Sequence, residues 1–142
     1  MSISNHHSHN EEQTKKIAQD FSKNLNSNDI VLLSGPLGAG KSVFARALIH
    51  TLCDIQENVP SPTFTLVQQY ESQLGNLWHF DLYRIEDPEE IYEIGWEDIA
   101  GQELSVVEWP ERLGFLMPKR YIEVIIKPEK NDERLITIER IQ

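Results

Sequence analysis

The sequence predicts an α/β fold with a mostly parallel central sheet, antiparallel strands at its margins and flanking helices, and three neighbouring features carry that prediction. The continuous apolar run Ile30-Val31-Leu32-Leu33 reads as a buried parallel strand. The turn Gly35-Pro36-Leu37-Gly38-Ala39-Gly40-Lys41-Ser42 follows it directly. Beyond the turn, Val43, Phe44, Ala47, Leu48 and Leu52 recur at helical spacing to about Cys53. Strand, glycine-rich loop and helix in that order form the arrangement that a phosphate cradle requires.

The remaining elements follow from local signals. Met1 to His9 hold three histidines, His6, His7 and His9, and no apolar face, so residues 1–9 are expected to be a frayed tail ahead of one domain over residues 10–142. Asn10 with Gln13 three residues on marks a helix start, and Ile17, Ala18, Phe21 and Leu25 put one helix face on a core. Phe64 to Tyr70 and Leu77 to Tyr83 form a hairpin through a turn containing Gly75-Asn76. Asp87-Pro88-Glu89-Glu90 opens a helix expected to end before Gly101, with Asp as cap and acids against the dipole. Leu104 to Val107 is a further short buried strand, and Tyr121 to Ile126 with Leu135 to Ile138 make a terminal hairpin.

Composition narrows the function classes. A chain of 142 residues suits a single compact domain. With 13 basic and 23 acidic residues the formal net charge is −10, which disfavours direct, tight nucleic-acid binding. No apolar run is long enough to cross a bilayer. Cys53 is the only cysteine, so an intramolecular disulfide is impossible and a reducing cytoplasm is the expected compartment.

Gly35, Gly40, Lys41 and Ser42 satisfy the pattern G-x-x-x-x-G-K-[ST], the P-loop or Walker A signature, so the fold class is refined to a P-loop NTPase. The chemistry needs each part. Glycines let the main chain turn its N–H groups toward phosphate oxygens, the helix N-terminus adds partial positive charge, and Lys41 supplies a mobile cation. Ser42 offers a hydroxyl to a hard Mg²⁺ bridging two phosphates. A strand-end acid is needed beside it, and two qualify: Asp81 closes Leu77-Trp78-His79-Phe80, and Glu108 closes Leu104-Ser105-Val106-Val107. His79, between two aromatic residues, reads as a packed core histidine. Thr63 lies where P-loop switch proteins place a hydroxyl that senses the γ-phosphate, though a plain turn threonine fits the same string. No Asn-Lys-x-Asp string argues for guanine, so adenine is the default base. A small-metabolite kinase using the same loop is the alternative reading, and no obvious lid or arginine clamp supports it.

Four blocks together resemble the TsaE family, the P-loop ATPases of bacterial tRNA threonylcarbamoyladenosine synthesis: residues Gly35 to Ser42, Ser61-Pro62-Thr63-Phe64-Thr65-Leu66-Val67, His79-Phe80-Asp81-Leu82-Tyr83-Arg84 with Asp87-Pro88-Glu89-Glu90 behind it, and Val107-Glu108-Trp109-Pro110. The likeness runs from Asn10 to Ile138. It implies ATP/ADP and Mg²⁺ as cofactors and weak intrinsic ATPase activity stimulated by partners. Those partners would be the threonylcarbamoyltransferase subunit TsaD and its inactive paralogue TsaB, with tRNA met only indirectly through the complex. The modified base would be the adenosine next to the anticodon in tRNAs reading codons that start with adenine. Residue by residue, the resemblance makes Lys41, Asp81, Glu108 and Thr63 catalytic, and Ser42, Glu108 and Asp81 metal-binding. It gives the nucleotide Glu11, Gly35, Leu37, Gly38, Ala39, Gly40, Lys41, Ser42, Val43, Asp81 and Arg134, with Glu11 and Arg134 on the adenine side. Pro36 departs from the aspartate usual at that loop position and removes one N–H.

Overall fold

Every residue of strand β2 (Ile30–Ser34) from Ile30 to Leu33 is buried, because both faces of the sheet it belongs to are covered. The structure, a computed structural model, describes residues 3–53 and 66–142. Its other elements are β1 (Ile3–Ser8), α1 (Glu11–Ser22), α2 (Lys41–Cys53), β3 (Val67–Ser72), β4 (Gly75–Asp81), α3 (Glu89–Glu93), α4 (Trp96–Ile99), β5 (Leu104–Glu108), β6 (Tyr121–Pro128) and β7 (Arg134–Ile141), with a 3₁₀ segment over Pro110–Leu116. The strands form one sheet in the order β1-β7-β6-β2-β5-β4-β3. The four inner strands β6, β2, β5 and β4 run parallel, and the pairs β7–β6, β1–β7 and β3–β4 are antiparallel. This is the predicted mixture of parallel centre and antiparallel margins.

Strand alternation divides the core into two layers. Val31 and Leu33 of β2 and Val106 of β5 face one cluster with Phe44, Leu48 and Ile49 of α2 and Ala18 and Phe21 of α1. Ile30 and Leu32, with Phe80 of β4 and Val107 of β5, face the other, closed by Ile91 of α3, Trp96 of α4 and Leu113. Phe80 and Trp96 meet edge to face with ring centroids 5.2 Å apart, a favourable aromatic geometry. Among the described residues no helix is long and apolar enough to cross a membrane.

Two expectations are corrected. Of the residues expected as a frayed tail, Ile3–Ser8 instead pair with β7 from Ile3↔Glu139 to Ser8↔Arg134 and extend the sheet by one edge strand. Main-chain hydrogen bonds to β7 supply what side chains lacking apolar alternation do not. The buried Ser8 hydroxyl then meets Asn10 O and Thr14 Oγ1, both at 2.7 Å, tying the strand to α1. Asn10 caps α1 as expected, its side chain accepting from Gln13 N at 2.8 Å. The second correction concerns the helix after Asp87. It splits into α3 and α4 at Gly95, whose φ of 91° lies in the left-handed region. Asp87 still serves the start, its Oδ1 accepting from Glu89 N at 3.0 Å.

At the lower end of β4, Glu103 accepts from Asn76 Nδ2 at 3.0 Å and from Trp78 Nε1, and these two donors hold its carboxyl below the ordinary glutamate value of 4.5. A depressed carboxylate adds stability that is fully present above its unfolded value and is lost as pH falls through the folded one. Glu103→Gln is therefore expected to unfold at lower urea than the parent near pH 7, with the difference shrinking as pH falls below about 4.5.

Candidate functional site

Register brings the site together at the C-terminal ends of the parallel strands. Leu33 of β2 lies beside Glu108 of β5, and Glu108 lies beside Asp81 of β4. Directly paired residues of neighbouring strands point to the same sheet face, so both acids stand on the side covered by α2. The chain leaves β2 at Ser34, turns through residues 35–40 and enters α2 at Lys41. A Cβ on Gly35 would sit 2.5 Å from the carbonyl oxygen of Ile126, so only glycine fits where the loop departs over β6.

Leu37, Gly38, Ala39, Gly40, Lys41, Ser42, Val43, Asp81, Tyr83, Glu108 and Trp109 line one open mouth. Within it the Ser42 hydroxyl donates to Glu108 Oε1 at 3.0 Å. The other oxygen of that carboxylate, Oε2, is 2.7 Å from His79 Nε2. Asp81 Oδ1 accepts from Tyr83 N at 3.1 Å. The Lys41 ammonium donates to the carbonyl of Gly35 and lies 3.3 Å from the centroid of the Trp109 ring. Burial lowers the Lys41 pKa, and the negative charges of Glu108, Glu111 and Asp81 work in the opposite direction. Trp109 itself has φ 61° and ψ 53°, a left-handed conformation that a bulky side chain adopts at a cost, and its ring also packs on Tyr83 at 5.0 Å.

The other predicted residues are placed differently. Arg134 approaches the loop from β7 and grips its tip by the main chain, Nε donating to Ala39 O at 2.9 Å and Nη2 to Gly38 O at 3.2 Å. Glu11 is exposed at the start of α1 and lines a groove with Lys15, Arg46 and His50 that shares only Val43 with the mouth. Pro36 accepts from Ala39 N at 3.1 Å within the loop. Thr63 lies outside the described residues. Cys53 ends α2 half-buried, and burial pushes its thiol up to about 11, in keeping with an inert side chain. The reading from sequence missed Tyr83 and Trp109 as lining residues and the bond from His79 to Glu108. The string Glu108-Trp109, which puts an aromatic ring one residue beyond the strand-end acid, is the signal that could have found Trp109.

The fold, with its parallel centre and antiparallel margins, is that predicted for a P-loop protein. A family model described as threonylcarbamoyl adenosine biosynthesis protein TsaE matches residues 8–136. The tRNA threonylcarbamoyladenosine biosynthesis protein TsaE of Rickettsia typhi is 44% identical over 135 residues, spanning 95% of this chain and 94% of the relative. Its counterpart in Bacillus subtilis is 36% identical over 129 residues, with 90% and 80% covered. The crystal structure of Bacillus subtilis YdiB superposes with a TM-score of 0.82 at 28% identity, covering 99% of this chain and 87% of that one. The chain belongs to the TsaE family.

The grip of Arg134 on two loop carbonyls generates a test that needs no ligand. Arg134→Ala is expected to speed amide hydrogen exchange over residues 38–40 about tenfold or more while costing only about 1 kcal/mol in global stability, since the freed carbonyls can bond water. Exchange measured by mass spectrometry beside a urea titration reads both quantities.

Proposed function

We propose that this protein is a Mg²⁺-dependent ATPase of weak intrinsic activity that serves threonylcarbamoyladenosine modification of tRNA as a nucleotide-driven accessory subunit. One observation carries the reading: a cation and a hydroxyl at the start of α2, Lys41 and Ser42, share a mouth with the strand-end carboxylates Asp81 and Glu108. Gly38 and Gly40 support it, because a Cβ built on either meets nothing within 4 Å and the main chain in front of each is open to a ligand. The donors at the Ser42–Glu108 contact are all oxygen, the chemistry that Mg²⁺ selects. Membership in a family described by threonylcarbamoyl adenosine biosynthesis supplies the pathway.

In this reading the N–H groups of residues 38–43 face the phosphates at the start of α2, where the helix dipole also favours an anion. Lys41 exchanges the Gly35 carbonyl and the Trp109 face for phosphate oxygens, and its ammonium offsets the charge that develops on the transferred group. Ser42 Oγ and Glu108 Oε1 would hold the magnesium, which when bound would supply Lewis-acid stabilisation to the phosphates. Asp81 and Glu108 are the carboxylates within reach to orient a water, and Arg134 keeps the loop tip in shape from behind. Thr63 would register the γ-phosphate, and Glu11 with Arg134 would border the adenine. The nucleotide state then biases affinity for the threonylcarbamoyltransferase subunit TsaD and its paralogue TsaB in the cytoplasm, a ligand-driven population shift, with tRNA engaged through those subunits.

Lys41→Ala is expected to lower ATP turnover in the presence of the partners by about 100-fold or more with an unchanged circular dichroism spectrum. Parental turnover in that variant would overturn the catalytic assignment. Binding to immobilised TsaD–TsaB, measured with ATP, with ADP and without nucleotide, is expected to differ among the three; equal affinities would remove the switch.

A further inference from the structure

We propose that His79 is a positioning residue that dedicates the two oxygens of Glu108 to different tasks, one to the protein interior and one to the mouth. The inference rests on the nucleotide reading above and deepens it. Alternation along β4 puts His79 and Asp81 on one sheet face and Phe80 on the other. Asp81 is the register partner of Glu108, so His79, two residues earlier, stands diagonal to Glu108 on the same face. The result is a bond of 2.7 Å between Nε2 and Oε2, made by side chains only 1% and 2% exposed.

The partition of oxygens follows from what each group can do. An ionised carboxylate only accepts, so the proton of this bond sits on Nε2. Oε2 is thereby occupied, and Oε1 is left to Ser42 Oγ at 3.0 Å, on the side where the metal is proposed. Without His79 the carboxylate could turn about its last torsion and settle on the ammonium of Lys41, which lines the same mouth. Such a collapse would consume both the metal ligand and the phosphate cation in one internal ion pair. The imidazole performs this at a visible cost: among the described residues its Nδ1 is buried and has no hydrogen-bond partner. An apolar ring would fill the same slot without that cost, so packing alone does not account for a histidine here.

The test reads Mg²⁺ coupling directly. ATP affinity is measured by calorimetry across a series of Mg²⁺ concentrations and again in EDTA, for the full chain and for His79→Phe and His79→Gln, whose amide nitrogen can reach the place of Nε2. The Mg²⁺ concentration giving half of the affinity gain is expected to rise about 10- to 100-fold in His79→Phe. It should return to within about threefold of the parent in His79→Gln, and the affinity in EDTA should fall in His79→Phe alone, because a Lys41 paired with Glu108 no longer meets the phosphates. A Mg²⁺ dependence in His79→Phe equal to the parent's would overturn the proposal, as would a loss in His79→Gln as large as in His79→Phe. If His79→Phe does not fold, a shift of more than about tenfold in His79→Gln has the same overturning force. Side-chain ¹⁵N spectra of the unaltered protein give a second reading: a proton on Nε2 is required, and one found only on Nδ1 would also overturn it. Failure of the nucleotide reading has a separate signature, since the unaltered chain would then show no Mg²⁺-dependent ATP affinity at all.

Discussion

The hydrogen bond from Ser42 to Glu108 joins the first turn of a helix to the end of a strand, and the chemistry of the mouth depends on it. It can form only because three parallel strands are in register, with Leu33, Glu108 and Asp81 abreast at one edge. A slip of one residue in β5 would turn Glu108 into the opposite layer, against Trp96 and Leu113, and put Val107 at the mouth. The two-sided core is what forbids that slip. Val31, Leu33 and Val106 belong to one layer and Ile30, Leu32 and Val107 to the other, so a slip in β5 would put both of its valines in the wrong layer.

Much of this was legible in the sequence because it is local. The apolar run of β2, the glycine pattern and the periodicity of α2 specify strand, loop and helix within about two dozen residues. The hairpins β3–β4 and β6–β7 are legible in their strand runs and account for two of the antiparallel margins, although Gly75 and Asn76, expected in the first turn, open β4 instead. What escaped is non-local or runs against a residue's own preference. β1 has polar, histidine-rich side chains, and its place in the sheet comes from pairing with a strand about 130 residues away. His79 reads correctly as buried, yet its bond to Glu108 spans 29 residues and exists only through the register of two parallel strands. The string Glu108-Trp109 puts the ring near the acid, but nothing in a tryptophan announces the left-handed main chain that lays it over Lys41.

Electrostatics gives the mouth an unusual balance. Lys41 faces Glu108, Asp81 and Glu111, within a chain whose formal charge is −10. Side chains alone therefore make a poor receptor for a polyphosphate. The attraction has to come from main-chain N–H groups, the helix terminus and a cation bound with the ligand, which fits a loop whose glycines leave the backbone bare.

The guanidinium of Arg134 reaches back across 96 residues to the carbonyl of Gly38. During synthesis on a ribosome the loop, β2 and α2 emerge before this brace, which is translated 96 residues after Gly38. Until β7 has cleared the exit tunnel and joined β6, the loop tip is without its rear support. A prematurely terminated product would thus carry the whole glycine-rich signature yet lack the part that holds it in shape.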